Sequence, residues 1–191
     1  MLIQQLEKKY RTDKYIRILI SGLISVFCGG VFLFHQDIFR GLKALLLLIF
    51  LFCFMDFLFS IKLLFQGPEY GLRESFRHFP DLAKKTTIPK LYEELKEAEQ
   101  LHERIWLSKK YTFLWHSMSG LVVVENQNIG LLGAVKQRHL LGFLCKKEFY
   151  LRTKSSKYYH IPIGSWEDVE KILNVYRKRY PKIYIGKINK K

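Results

Sequence analysis

The stretch LKALLLLIFLFCFMDFLFSIKLLF, residues 42–65, decides what kind of protein this chain forms. Between residues 44 and 61 its one charged residue is Asp56, and Ser60 is the other clearly polar one. A bilayer core about 30 Å thick needs roughly 20 mostly apolar residues in a helix, so the stretch predicts a membrane-spanning helix. A second apolar run, residues 18–34, precedes it and disfavours a buried helix of a soluble protein.

The two runs predict a transmembrane helical hairpin over residues 18–65, and their flanks predict its orientation. The basic leader, residues 1–17, carries five lysines and arginines, whereas the loop at residues 35–43 carries two. Because such a bias places the richer flank in the cytoplasm, both termini are expected there. No small-residue cleavage site follows the first run, so a multi-pass protein of the cell membrane is expected.

Small and polar residues are placed to hold the two predicted spans together. Ser21, Ser25 and Gly29 recur at every fourth position, a spacing that lets helices approach closely within lipid. In an antiparallel hairpin Asp56 is expected level with Ser25, and Ser60 level with Ser21. A carboxylate at this depth is favoured as a staple of the hairpin or of a homo-oligomer. The alternative is an ion or proton site.

The polar remainder predicts a juxtamembrane linker, residues 66–88, and a cytosolic α+β domain, residues 89–191. Pro89 fits the first turn of a helix whose apolar stripe runs to residue 104. Six short segments rich in β-branched and aromatic residues follow it and predict an antiparallel β-meander. These segments are residues 111–116, 120–125, 129–135, 139–145, 149–154 and 158–163.

A closing helix is expected where Ser165 precedes Asp168 in a near capping box, and residues 183–185 predict an edge strand. The strand KYYHIPI leading into SWEDVEKIL completes an order of elements over residues 111–180. With two N-terminal spans, this order resembles small bacterial membrane proteins whose cytosolic part is similar to a pleckstrin-homology domain. The resemblance implies a partly open barrel closed by the C-terminal helix. It also implies a binding or scaffolding module without phosphoinositide specificity, rather than an enzyme.

The sequence carries no recognisable catalytic or cofactor motif. It lacks GxGxxG, P-loop, HExxH and GxSxG patterns, and its six histidines are scattered over different predicted elements. Glutamates 93, 94, 97 and 99 lack a histidine pair beside them and predict a solvated helix face rather than a metal site. The chain is therefore expected to be non-catalytic, with no cofactor and no metal.

The charge excess is the main functional signal. From residue 66 onward there are 24 lysines and arginines against 13 acidic residues. Basic residues near an anionic leaflet contribute about 1 kcal/mol each to membrane attachment. Nucleic acid would use the same charge, but a tethered domain already lies at the lipid, so membrane apposition is favoured. The residues expected to contact the membrane or a ligand are Arg152, Lys157, Tyr158, Tyr159, Arg177, Lys178, Arg179, Lys182 and Lys187.

Three functions stay open at this level. The favoured one is a membrane-anchored interaction or scaffolding module, whose partner is an anionic lipid surface or another protein. The second is a two-span effector or sensor whose β-domain binds a small anionic ligand, such as a cyclic nucleotide, and controls oligomerisation of the spans. Its candidate ligand contacts are Arg152, Lys157, Tyr158 and Tyr159. The third is a membrane enzyme or transporter subunit that uses Asp56. A basic cavity in the β-domain would separate the second from the first.

Overall fold

The computed structural model describes residues 2–34, 40–116, 119–138 and 145–186. The chain divides into two compact units, Met1–Tyr70 and Gly71–Lys191. The first unit consists of two long helices, α1 (Leu2–Phe34) and α2 (Arg40–Gln66). The predicted leader is thus helical and continuous with the first apolar run.

Both helices are long and apolar enough to cross a membrane. Only 17% of the residues in the most apolar window of α1, and 6% in that of α2, are buried within the protein. A core helix of a soluble protein would show the reverse, because its apolar side chains face a partner. Large apolar side chains are instead exposed along both helices, among them Leu19, Leu23, Val26, Phe27, Leu33, Leu48, Phe52 and Met55.

The two helices pack against each other through small residues on α1. A methyl group at Gly22 would lie 3.3 Å from the Phe57 ring, and one at Gly29 would lie 3.3 Å from the Phe50 ring. Phe50 also stacks on Phe54, with ring centroids 5.7 Å apart. Aromatic side chains of α2 therefore fill the surface that the small residues of α1 leave open.

The second unit, called the β-domain here, contains short helices, two sheets and a closing helix. Its helices are α3 (Tyr70–His78, beginning at the unit boundary), α4 (Pro80–Lys85), α5 (Ile88–Lys96) and α6 (Trp166–Arg179). Its strands are β1 (Glu99–His102), β2 (Ile105–Leu107), β3 (Tyr111–His116), β4 (Gly120–Glu125), β5 (Ile129–Arg138), β6 (Cys145–Thr153), β7 (Tyr158–Pro162) and β8 (Tyr184–Ile185).

In the part of the chain that the structure describes, the strands form two open sheets of four strands each. β1 to β4 make an antiparallel meander, and the second sheet has the order β7-β6-β5-β8, in which β8 runs parallel to β5. Helix α6 contacts β1 of the first sheet and both β5 and β6 of the second. The apolar core includes side chains from both sheets and from α6, with Phe113, Leu114, Val123, Phe149, Leu151, Ile161, Val169, Ile172 and Leu173 buried.

The bounds of β3 and β4 and the hydroxyl cap of α6 agree with the sequence-based prediction. The Ser165 hydroxyl accepts the Asp168 backbone N–H at 3.1 Å, and the predicted edge strand forms as β8. The segment predicted as a strand over residues 139–145 lies outside the described residues up to 144, and Cys145 begins β6. These local signals are short-range, which is why sequence alone was enough for them.

The predicted helix over residues 89–104 is wrong beyond Lys96, where α5 ends. Residues 99–107 instead form β1 and β2, and β2 pairs with β3 so that Trp106 lies opposite Phe113. All three side chains of β2 are buried. Pairing and burial on both faces of β2 outweigh the helical spacing of the apolar residues.

The strands do not close into a barrel, because other groups occupy the edges that closure would need. β8 pairs with the free edge of β5. On the edge of β4, the Ser75 hydroxyl of α3 accepts the Val123 backbone N–H at 3.1 Å and donates to the Gly71 carbonyl at 2.8 Å. The predicted linker, residues 66–88, therefore contains α3 and α4, and α3 covers a sheet edge and leaves fewer backbone groups unpaired.

We expect Gly71→Ala to destabilise the β-domain, because a Cβ there would stand 2.6 Å from the Ser119 carbonyl oxygen. Overpacking of this kind lowers the free energy of unfolding by about 1–3 kcal/mol. Denaturant unfolding followed by the fluorescence of the buried Trp106 and Trp115 measures it. Gly130→Ala is the matched control, since its Cβ would meet its nearest atom at an ordinary 3.5 Å. Equal midpoints for the two variants would contradict the docking of α3 on β4.

Candidate functional site: a basic groove and a polar helix interface

A groove of about 720 Å³ opens in the β-domain where the β2–β3 turn, the β4–β5 turn and the segment after α6 meet. We call it the basic groove, because six cationic side chains line it: Lys85, Lys109, Lys110, Lys154, Arg179 and Lys182. Glu125 is the one carboxylate among its described lining residues. The β-domain thus has a basic cavity as well as an apolar core.

The negative charge of Glu125 is already engaged within the protein. Its carboxylate accepts Lys85 Nζ at 3.2 Å, Gln127 Nε2 at 3.0 Å and Asn128 Nδ2 at 2.9 Å. Buried carboxylates require such partners, because desolvation of an unpaired charge is costly. Glu125 therefore neutralises Lys85 and leaves the other cations of the groove unaffected.

Of the remaining cations, only Arg179 has an acidic partner in the described part of the chain, since it pairs with Glu99. The residues that the structure describes provide no acidic side chain in an ion pair with Lys109, Lys110, Lys154 or Lys182. All four of these lysines are exposed. Their charges add up in one place and attract an anion from solution.

Asn126 forms the floor of the groove through a fully hydrogen-bonded amide. Its Oδ1 accepts the Thr112 hydroxyl at 2.7 Å, and its Nδ2 donates to the Ser108 carbonyl at 3.0 Å and to the Tyr180 hydroxyl at 2.7 Å. Since Thr112 uses its proton on Asn126, the Tyr176 hydroxyl must be the donor in its 2.7 Å bond with Thr112. The floor is therefore bonded to β3 and α6 at once.

Two tyrosines of the groove contribute neutral hydroxyl groups. Burial raises the pKa of Tyr180 above its ordinary value, although its hydrogen bond with Asn126 and the charge of Arg179 oppose that rise. Burial is also the main cause of the raised pKa of Tyr111, with the Glu125 charge adding to it. Both phenols stay protonated near neutral pH, so they do not reduce the positive charge of Lys109, Lys110, Lys154 and Lys182.

Two of the predicted contact residues, Arg179 and Lys182, line the basic groove. Arg177 lies nearby, where its guanidinium bonds the Asn174 side chain, and Lys178 is exposed outside the groove lining. Lys187 lies outside the described residues. Of the predicted tail residues that the structure describes, Arg179 and Lys182 therefore line the groove, whereas Arg177 and Lys178 do not.

The other predicted cluster lies on the β6–β7 hairpin and does not line the groove. Arg152 Nη1 donates to the Tyr158 hydroxyl at 3.3 Å, and Lys157 Nζ lies 5.8 Å from the centre of the Tyr159 ring. Burial raises the pKa of Tyr159 to about 12, with Glu74 adding to the effect. These four side chains interact as two cation–aromatic pairs on the hairpin.

Sequence reasoning missed Lys85, Lys109, Lys110 and Lys154 as groove residues. The adjacent pair Lys109–Lys110 between two predicted β-segments was the one signal that could have found part of the site. The other two missed residues, Lys85 and Lys154, lie far from this pair and from each other along the chain, so no local pattern joins them.

Within the helix pair, the partner of Asp56 is Arg17. Arg17 Nε donates to Asp56 Oδ2 at 2.9 Å, and Nη2 bonds Oδ1, which makes a two-pronged ion pair. The Ser25 hydroxyl, expected level with Asp56, donates instead to the Ser21 carbonyl at 2.8 Å, and the Ser21 hydroxyl, expected level with Ser60, donates to the Arg17 carbonyl at 2.8 Å. The long Arg17 side chain reaches the Asp56 carboxylate, whereas the short serine side chains bond backbone carbonyls of their own helix.

Further polar contacts continue this line of side chains along α1, and we call the whole line the polar seam. The Tyr10 hydroxyl donates to the Leu63 carbonyl at 2.7 Å, and the buried Lys14 Nζ lies 5.3 Å from the Tyr10 ring centre. Ser60 of α2 is fully buried, and its hydroxyl has no partner among the described residues. The seam comprises Tyr10, Lys14, Arg17, Ser21 and Ser25 opposite Asp56 and Ser60.

The described residues include no group of three or more histidine, cysteine or acidic side chains that could hold a metal ion. The seam contains one carboxylate beside two cations, so its composition is that of an internal ion-pair cluster. This arrangement favours the staple interpretation of Asp56 over an ion site, because the cations already provide its counter-charge.

We expect reversal of either charge, Arg17→Asp or Asp56→Arg, to lower the melting temperature of the detergent-solubilised chain. The exchanged double variant should recover part of the loss, with a coupling energy of about 0.5–3 kcal/mol. The melting temperature of Asp56→Asn should lie between that of the wild type and those of the charge-reversal variants, since asparagine keeps a hydrogen-bond acceptor but not the charge. Asp13→Asn removes an exposed carboxylate of α1 and serves as the control. A double variant as unstable as the two single changes added together would rule out the pairing.

Comparison with known proteins gives no relative from which the role of the site could be inferred. The chain matches no protein-family model, and no curated protein and no solved structure is significantly similar to it. Function therefore has to follow from the exposed apolar helices, the basic groove and the polar seam.

Proposed function

We propose that this chain is a membrane-anchored, non-catalytic interaction module. In this proposal α1 and α2 span the cell membrane, both termini are cytoplasmic, and the basic β-domain is attracted to the anionic inner leaflet. One observation carries the proposal: two long helices expose apolar side chains, and a strongly basic domain follows them directly.

The exposed surface of the helix pair supports the membrane part of the proposal. Phe52 is 77% exposed and Phe27 is 69% exposed, in the middle of two runs of similar residues. Contiguous apolar surface of this extent is unfavourable in water and marks a membrane or protein interface. The polar seam adds to the argument, because its charged groups lie between the helices, where a lipid-exposed hairpin needs them.

The charge of the β-domain supports the second part. A domain tethered to the bilayer stays within a few Debye lengths of it, so each nearby basic residue adds about 1 kcal/mol of attraction to anionic lipids. Four exposed lysines of the basic groove lack acidic partners among the described residues, and this charge is therefore available to an external anion.

The arrangement of the sheets is in keeping with a pleckstrin-homology-like module. A four-stranded antiparallel meander, three further antiparallel strands and a closing helix follow one another in the chain. β8 and the open sheets are departures from the expected partly open barrel. Such modules are used for binding, and fold analogy contributes only that much to the proposal.

The orientation can be tested by thiol labelling in intact cells, starting from a variant without its three cysteines. A cysteine introduced at Gln36, between the helices, should react with a membrane-impermeant maleimide, because the positive-inside bias places that loop outside. A cysteine at Lys191 should react only after the cells are permeabilised. Labelling at Lys191 in intact cells would contradict the orientation.

The electrostatic attachment can be tested with the fragment Tyr70–Lys191, which includes all of α3. It should bind vesicles containing phosphatidylglycerol weakly and lose that binding steeply between about 0.05 and 0.5 M salt, because exposed charges are screened. The variant Arg177→Glu/Lys178→Glu, changed outside the groove lining, should weaken binding without lowering the melting temperature. Binding that is insensitive to salt, or absent at low salt, would leave a protein partner as the better explanation.

A further inference from the structure

We infer that the basic groove is a binding site for a phosphate-bearing organic ligand of small-molecule size. The inference goes beyond the proposed attachment to the membrane, since diffuse surface charge attracts a bilayer without any cavity. It assigns ligand binding to specific residues: Lys109, Lys110, Lys154 and Lys182, beside the floor formed by Asn126 and Tyr180.

The positive charge of the groove is concentrated in one place. The four lysines come from the β2–β3 turn, the end of β6 and the segment after α6, yet they line one groove. Like charges repel one another, so bringing them together opposes folding unless an anion compensates them. A surface that evolved only to be soluble or loosely basic has no need of such a convergence in a concave site.

The base of the groove is held by internal hydrogen bonds and an ion pair. Asn126 satisfies its whole amide with internal partners, and Tyr180 bonds both Asn126 and the Ser108 carbonyl, the latter at 3.1 Å. Arg179 is the last residue of α6 and is paired with Glu99. The base of the groove is therefore fixed before a ligand arrives, which reduces the entropy lost on binding.

The other walls of the groove are apolar and aromatic. Ile129, Pro181 and Ile183 line the groove together with the rings of Tyr111 and Tyr180. Ligand pockets of about 300–1,000 Å³ combine apolar and aromatic walls with a few polar groups, and this groove has that size and composition. Inorganic phosphate would use only the lysines, whereas a ligand with a phosphate and a flat or apolar portion uses both walls.

Soluble nucleotides and phospholipid headgroups share this chemistry, and the experiment separates the two sources. The full chain is placed in nanodiscs of zwitterionic phosphatidylcholine, and pyrophosphate and ATP without magnesium are titrated in by calorimetry. A second set of nanodiscs contains phosphatidylglycerol, without added nucleotide, and reports protection of the groove lysines from acetylation. The first arm needs no anionic membrane, so it can succeed even where the vesicle test of the proposed function fails.

The groove variant is Lys110→Gln/Lys154→Gln/Lys182→Gln, and its control is Lys90→Gln/Lys96→Gln/Lys171→Gln. Each removes three exposed positive charges, and the control positions do not line the groove. Neither variant should have a lower melting temperature than the wild type, because exposed side chains contribute little to stability and removal of clustered like charges relieves repulsion. We expect saturable binding of ATP, tighter than that of pyrophosphate, with a loss of at least about tenfold in the groove variant and less than about twofold in the control.

Protection by phosphatidylglycerol alone, confined to the groove lysines, would assign the site to a lipid headgroup and would also support the inference. Equal losses in the two variants would overturn it, because the binding would then depend on total charge. Absence of saturable binding in the first arm together with absence of selective protection in the second would overturn it as well.

Discussion

The hydrogen-bonded amide of Asn126 is the interaction on which the arrangement of the β-domain depends. It joins the turn between the two sheets to β3 through Thr112 and to the end of α6 through Tyr180. Leaving any one of these buried groups without a partner costs about 1–3 kcal/mol, so the three contacts hold one another in place. Among the described residues the two sheets share no strand pairing and α6 contacts both of them, so this cluster fixes where the last turn of α6 lies.

The same cluster explains why the cationic residues converge. The β2–β3 turn lies against Tyr180, whose hydroxyl bonds the carbonyls of Ser108 and Lys109. The chain after α6 must then pass this turn before β8 pairs with β5. Lys110 and Lys182, which are far apart in the sequence, thereby reach one groove. The contacts of Asn126 and Tyr180 therefore hold the end of α6 in place and also bring the lysines of the basic groove together.

The helix pair presents a different physical problem, because the outward surface of its two apolar runs and its interior have opposite polarity. Large apolar side chains are exposed along these runs, whereas the polar seam between the helices holds Arg17 against Asp56 and keeps Lys14 buried. In a nonpolar environment such a pair is costly to break, since either charge alone would lose its compensation. Small residues on α1 bring α2 close enough for this contact, and the aromatic side chains of α2 fill the remaining space.

The sequence by itself determined the features that depend on neighbours along the chain. These are the two apolar runs, the bounds of β3 and β4, and the Ser165 cap, each of which follows from residue type and short-range spacing. Tertiary structure decided the rest. Residues 99–107 became strands because β3 was available to pair with them, Arg17 displaced the serines as the partner of Asp56 because its side chain is longer, and the basic groove formed from lysines between positions 85 and 182. Contacts between distant residues have no local signature, because their free energy exists only once the chain has brought them together.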